Sequence, residues 1–136
     1  MSDSDQTQHP TISERIAAVQ REIAAACQRA NRAPDAVTLV AVSKTHPASE
    51  VVEAMQAGLR HFGENRLEEA LPKMSAVTDL LTDQAGEWAK MPRQWHMIGH
   101  VQSRKARYVA SGFSLLHSLD SIYLAERLSR FVMEQA

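Results

Sequence analysis

Four short polar segments each follow a run of apolar residues, and they hold most of the side chains that could do chemistry. They are Ser43–His46, Gly63–Asn65, Gly99–Gln102 and Ser118–Asp120. If the apolar runs form parallel strands, these segments lie at one edge of the sheet, where parallel sheets meet their ligands. We therefore expect the functional site among these residues.

Lys44 is the most informative member of this set. It comes just after a β-branched, almost unbroken apolar run, Val37–Val42. At the end of a buried strand an ammonium lies near a low-dielectric rim, where desolvation favours the neutral amine, a nucleophile that can form a Schiff base with a carbonyl. A surface lysine that extends its charge into solvent is the commoner alternative. The residues alone leave both interpretations open.

Histidines offer a second, weaker possibility. His96 and His100 could pair on a metal ion, but a strand end and Gly99 separate them, and no acidic or cysteine ligand is apparent nearby. His117 lies within an apolar run and is expected to be a core histidine or a group at the rim of the sheet. The sequence thus gives little support to a metal site.

Composition narrows the function classes further. The 136 residues carry 15 basic and 16 acidic side chains, and this near-neutral balance argues against a nucleic-acid partner. The basic group Arg104, Lys105 and Arg107 could meet a phosphate, but a solvated helix surface is the simpler interpretation. There is no glycine-rich loop of the kind that binds dinucleotides or nucleoside triphosphates.

Cysteine content and hydropathy indicate the compartment. Cys27 is the only cysteine, so neither an intrachain disulfide nor a thiolate cluster can form, and we expect it to pack as a small apolar residue in a reducing environment. No apolar leader and no run of about 18 apolar residues is present. These features predict a cytoplasmic protein with no membrane partner.

The chain divides into a polar tail over residues 1–10, expected to be disordered, and one domain over residues 11–136. The capping-box pair Thr11 and Glu14 begins a predicted helix over Ile12–Ala30. The predicted strands are Val37–Val42, Leu59–Phe62, Trp95–Ile98 and Phe113–His117. Four further helices are predicted between and after these strands. The first runs from Pro47 to a C-cap at Gly58, and the second continues from an N-cap at Asn65. The third covers Gln102–Ala110 and is ended by Gly112, the fourth continues from an N-cap at Asp120, and a loop is predicted over Thr82–Gln94.

This alternation predicts an α/β fold with a parallel sheet. The apolar character of Val37–Val42 favours a first strand that is covered on both faces. Pro72 interrupts the third helical pattern, so that helix either kinks there or begins later. Periodicity does not distinguish an open sheet from a barrel.

The amino-acid sequences at the strand ends resemble those of a known protein family. Leu39–Pro47, Phe62–Asn65, Trp95–His100 with Gln102 and Lys105, and His117–Asp120 resemble, in order and spacing, the pyridoxal-phosphate homeostasis protein family, also called the YggS or PROSC family. The resemblance implies a barrel like the N-terminal domain of alanine racemase. It matches Lys44 to the lysine that holds pyridoxal 5′-phosphate as an internal aldimine, and Asn65 and His100 to cofactor contacts or their supports. Arg66 stands where the family commonly has an aromatic residue, and the loop before Trp95 is longer than usual.

Length sets a further expectation. A complete (β/α)8 barrel takes about 250 residues, whereas this chain of 136 residues supplies four predicted strands and is similar to the N-terminal half of one. The resemblance places the family's phosphate-binding residues on later strands. Two sheet edges would then be unpaired, which favours aggregation, partnering or incomplete folding. We expect this chain alone to hold the cofactor weakly or not at all.

The resemblance implies a cofactor carrier, in which Lys44 reversibly captures pyridoxal phosphate and passes it to apo-enzymes. A racemase-like enzyme is the alternative, with Tyr108 or a histidine as the acid–base residue opposite Lys44. A third hypothesis is an inactive fragment, and a reading frame that continues beyond Ala136 would bear on it.

Overall fold

A computed structural model of the chain describes residues 8–135. The described residues form two compact units, one through Val37 and one from Thr38. Most of the expected tail over residues 1–10 lies outside the described residues, and residues 8–10 carry no helix or strand. No helix in the described part is both long enough and apolar enough to cross a bilayer.

The first unit consists mainly of one helix, α1, over Ile12–Arg29. The predicted capping box is confirmed: the Glu14 backbone N–H donates to Thr11 Oγ1, and the Thr11 N–H donates to Glu14 Oε2, each at 3.1 Å. Cys27 is 3% exposed and packs as a small apolar residue, as the sequence predicts. A 3₁₀ turn over Pro34–Ala36 completes this unit.

The second unit is built on a four-stranded parallel sheet with strand order β1-β2-β3-β4. Its strands are β1 (Ala41–Val42), β2 (His61–Glu64), β3 (Gln94–Met97) and β4 (Leu115–Leu116). Its helices are α2 (Ala48–Gln56), α3 (Leu67–Thr82), α4 (Ala106–Gly112) and α5 (Ile122–Glu134), with 3₁₀ turns at Glu87–Lys90 and Ser103–Lys105. The predicted α/β class with four parallel strands is confirmed, and this sequential order is that of half a (β/α)8 barrel.

Alternate strand residues build the core. Phe62 lies opposite Trp95 in the β2–β3 register, and their rings pack with centroids 5.6 Å apart. Two residues further along, Glu64 lies opposite Met97, and both are buried. One apolar cluster joins β3 to three helices and contains Leu67, Met97, Val101, Ala106, Val109, Leu124 and Phe131.

The expectation of a first strand covered on both faces is wrong. Of Val37–Val42 only Ala41–Val42 forms a strand, and Val42 is 49% exposed. In the described part β1 is an edge strand paired with β2 alone, and the face that carries Val42 lacks a covering element. The other strands are displaced by one or two residues from their predicted ends, because the backbone ladder rather than the apolar run sets the limits.

Helix ends differ from the predictions in two places. The N-cap position of α3 is occupied by Arg66, whose side chain makes no capping hydrogen bond, and not by Asn65 as predicted. Ser121 caps α5, accepting the Leu124 N–H at 3.1 Å, while the carboxylate of Asp120 lies 3.4 Å from His100 Nδ1 instead.

Other helix signals divide into confirmed and corrected ones. Gly58 adopts a left-handed φ of +106° after α2 and acts as the predicted C-cap signal. Helix α3 begins at Leu67 and continues through Pro72, so the later start is wrong. Helix α4 begins at Ala106 rather than Gln102, because a 3₁₀ turn occupies the intervening segment, and it extends to Gly112.

Candidate functional site

Lys44 follows β1 at the carboxyl end of the sheet. Its side chain is exposed, as in the surface-lysine interpretation of the two that the sequence leaves open. The chain has four lysines, and three of them have ion-pair partners: Lys73, Lys90 and Lys105. Lys44 is the lysine with no carboxylate partner among the residues that the structure describes. Its amine is therefore open to solvent and to small molecules.

Asn65 and His100 share a cavity of about 130 Å³ at the ends of β2 and β3. The cavity is lined by Asn65, Arg66, Leu67, Glu68, His100, Val101, Gln102 and Lys105. The structure thus brings two of the three predicted site residues together, while Lys44 is not part of this lining. Within the same cavity Lys105 forms an ion pair with Glu68, which lowers the pKa of that carboxyl group below its ordinary value.

The lack of a side chain at Gly99 lets the segment after β3 approach the backbone of Asn65, which follows β2. A Cβ placed on Gly99 would overlap the carbonyl oxygen of Asn65. The carbonyl of Gly99 in turn accepts a hydrogen bond from the Ser118 hydroxyl. Only a residue without a side chain fits between these backbones.

A buried ion pair lies beneath the segment that carries Lys44. Glu64 is 0% exposed, and its Oε1 lies 2.6 Å from Lys73 Nζ. Lys73 Nζ also donates to the Ser43 carbonyl at 2.6 Å and to Glu69 Oε1 at 3.0 Å. The Ser43 hydroxyl donates to the same Glu64 oxygen at 3.0 Å. All three ammonium donors of Lys73 thus have acceptors.

Glu69 extends this network to the other side of Lys44. It accepts the backbone N–H of Thr45, a β-branched residue with a left-handed φ of +66°. The hydrogen bond from Lys73, followed by that from the Thr45 N–H, lowers the pKa of Glu69 below its ordinary value. Sequence reasoning singled out neither Lys73 nor Glu69, although their i, i+4 spacing on a helix is the signal that could have found them.

Three histidines form a hydrogen-bonded row across β2, β3 and the end of β4. His61 Nδ1 lies 3.0 Å from His96 Nε2, and His96 Nδ1 lies 2.9 Å from His117 Nε2. Each neutral imidazole has one donor and one acceptor, so the tautomer of one histidine in the row determines the tautomers of the other two. His96 therefore bonds to these neighbours and does not pair with His100. Among residues 8–135 no group of three acidic, histidine or cysteine side chains is placed to hold a metal ion.

Burial of His96, together with repulsion from His117 and His61, lowers its pKa from the ordinary value of 6.5. The unfolded chain thus binds this proton more readily, so the free energy of unfolding should fall as the pH drops below about 6.5. Urea titrations at pH 7.5, 6.5 and 5.5 should show a steeper loss in the parent chain than in His96→Gln. Equal slopes would contradict this assignment.

The enzyme alternative proposed Tyr108 as an acid–base group. Tyr108 belongs to α4 in the helical layer and is 52% exposed. No hydrogen bond between it and Lys44 exists in the described structure.

Comparison with curated proteins finds relatives along most of this chain. It is 48% identical over 119 residues to the pyridoxal phosphate homeostasis protein of Pseudomonas aeruginosa, covering 88% of this chain and 47% of the relative. It is 40% identical over 118 residues to the protein of the same name from Escherichia coli K12, covering 87% of this chain and 47% of the relative. The chain thus spans about half the length of these relatives. A search of protein-family models gave no match.

Solved structures agree with this relationship. PipY of Synechococcus elongatus, solved with PLP bound, superposes with a TM-score of 0.73 at 41% identity, over 92% of this chain and 50% of PipY. A protein of unknown function from Bifidobacterium adolescentis superposes with a TM-score of 0.78 at 32% identity, over 91% of this chain and 50% of that protein. Over the half of their length that it spans, the chain is similar in sequence and fold to pyridoxal phosphate homeostasis proteins.

Proposed function

We propose that this chain supplies the cofactor-capturing lysine of a pyridoxal phosphate carrier, and that Lys44 is that lysine. The observation that carries the proposal is that Lys44 is exposed at the carboxyl end of β1, with no carboxylate partner in the described part of the chain. PipY, a relative of similar fold, was solved with PLP bound.

The chemistry requires little more than this amine. The nitrogen of Lys44 adds to the aldehyde carbon of the cofactor, water leaves, and the resulting aldimine is reversible. Asn65 and His100 lie at the ends of the next two strands and are the further cofactor contacts that we propose. Their cavity of about 130 Å³ is smaller than the roughly 300 to 1,000 Å³ of most ligand pockets. We therefore expect capture by this chain alone to be weak.

The surroundings of Lys44 favour a carrier function over an enzymatic one. Turnover of amino acids would need a positioned acid–base group next to the captured cofactor, and no observation favours Tyr108 in that role. The proposal includes transfer of the cofactor to apo-enzymes in a reducing, cytoplasmic setting, which the single buried Cys27 suits. Sustained racemisation or transamination that Lys44→Ala abolishes would overturn the carrier interpretation.

Reductive trapping tests the assignment even when binding is weak, because borohydride makes each captured molecule permanent. The chain is mixed with pyridoxal phosphate, reduced and digested, and the label is quantified on each of the four lysines. We expect the label predominantly on Lys44, and Lys44→Met to abolish that peptide's label. Lys90→Met is the matched control, since Lys90 is 71% exposed and paired only with Glu87. Equal labelling of Lys44 and Lys90 would overturn the proposal.

A further inference from the structure

The backbone on both sides of Lys44 is attached to one group of buried and half-buried charges. On the N-terminal side, the Ser43 carbonyl accepts from Lys73 Nζ at 2.6 Å. On the C-terminal side, the Thr45 N–H donates to Glu69 Oε1. Lys73 and Glu69 are themselves bonded at 3.0 Å, one helical turn apart on α3. The residues that flank Lys44 are therefore held from the same helix.

Glu64 anchors this arrangement to the sheet. It follows Gly63 on β2, is fully buried, and binds Lys73 Nζ at 2.6 Å and the Ser43 hydroxyl at 3.0 Å through Oε1. The Ser43 N–H also donates to the Gly63 carbonyl at 2.9 Å, which extends the β1–β2 ladder past Val42. The segment before Lys44 thus has three separate attachments.

Thr45 shows what the network does to the backbone. A φ of +66° is uncommon for a β-branched residue, and it persists only where the surroundings hold it. Two contacts hold it in this structure: the bond from its N–H to Glu69, and the turn that the His46 N–H closes by donating to the Ser43 carbonyl at 3.0 Å. The bond to Glu69 ties this turn to α3.

We infer that Lys73, Glu64 and Glu69 are positioning residues that fix the backbone of Lys44, so that its amine meets the cofactor aldehyde from a defined place at the rim of the sheet. The inference rests on the proposed function. A fixed backbone leaves only the side-chain torsions of Lys44 to be ordered for reaction, which raises the fraction of productive encounters.

Two carboxylates of α3 give a matched test. Glu69→Ala removes the acceptor of the Thr45 N–H and leaves the Lys73–Glu64 pair in place, whereas Asp79→Ala removes an exposed carboxylate of the same helix that belongs neither to this network nor to the lining of the Asn65–His100 cavity. We expect Glu69→Ala to slow borohydride-trapped labelling of Lys44 by about two- to tenfold, the range that one hydrogen bond supports. Asp79→Ala should keep the parent rate. Glu69→Gln retains an oxygen acceptor and should recover most of the rate.

The backbone of Thr45 is the second readout, and it does not depend on the cofactor. Its HN–Hα coupling and chemical shifts should show loss of the left-handed conformation in Glu69→Ala but not in Asp79→Ala. Labelling of Lys90 is the internal reference for general reactivity. The inference is overturned if Thr45 keeps its conformation in Glu69→Ala, or if it changes and the rate at Lys44 does not. Failure of the parent chain to label Lys44 above Lys90 would instead overturn the proposed function, and the response of Thr45 would still report whether the network holds the loop.

Discussion

Lys73→Met should lower the free energy of unfolding by about 3–5 kcal/mol, the usual cost of leaving a buried charge without its partner. Glu64 is fully buried, and its Oε2 already lacks a hydrogen bond in the described structure, so only the Ser43 hydroxyl would remain to compensate it. Met fills nearly the volume of Lys without forming a cavity. Urea denaturation of both chains measures the difference.

A second substitution separates the charge from the packing. In Glu64→Gln/Lys73→Met the buried carboxylate becomes a neutral amide that can still accept from Ser43. Because the unpaired charge is gone, we expect the double variant to recover about half or more of the loss. A single variant within about 1 kcal/mol of the parent, or a double variant no more stable than the single one, would show that the ion pair does not stabilise this site.

The sequence is most informative where a residue type has a single role in local structure, such as ending or starting a helix. Thr11 with Glu14 predicted the start of α1, and Gly58 predicted the end of α2, because a capping box and a left-handed glycine act through nearest neighbours. The alternation of apolar runs and helical patterns predicts the four parallel strands. Each of these signals is local, and the structure agrees with each.

The errors came from contacts distant in sequence. The apolar run Val37–Val42 predicted full coverage, but coverage depends on what packs on each face, and β1 has a single strand neighbour in the described part. Asp120 was predicted as a cap, but its carboxylate faces His100, and Ser121 caps α5. Composition and spacing do not reveal such competition.

The candidate site likewise has residues that local sequence signals predict and residues that they do not. Their places after strands and the family resemblance predict Lys44, Asn65 and His100 as site residues, and the structure puts Asn65 and His100 in the lining of one cavity. The charges that hold the backbone of Lys44 were missed, because Lys73 and Glu69 belong to a helix surface pattern that is usually solvated. Their role depends on β1 and β2 meeting α3, which is a property of the tertiary structure.

Gly99→Ala should damage the Asn65–His100 cavity directly. The added Cβ would overlap the Asn65 carbonyl oxygen and lie 2.8 Å from its carbonyl carbon, and backbone atoms cannot rotate away as a side chain can. Overpacking of this kind costs about 1–3 kcal/mol and sometimes more, and we expect the upper end of that range. Urea denaturation gives the loss, and amide shifts of Asn65 and His100 should report the displaced backbone.

Gly112→Ala is the matched control, and its expected sign is opposite. A Cβ at Gly112 would meet two side-chain ends, Met74 Cε at 3.3 Å and Leu71 Cδ2 at 3.9 Å, and no backbone atom. Gly112 ends α4, where alanine favours the helix by roughly 0.5–1 kcal/mol over glycine. This variant should therefore be as stable as the parent or slightly more so. Equal losses in the two variants would mean that the close approach of Gly99 to Asn65 does not shape the cavity, whereas a loss confined to Gly99→Ala would tie the cavity to that single backbone contact.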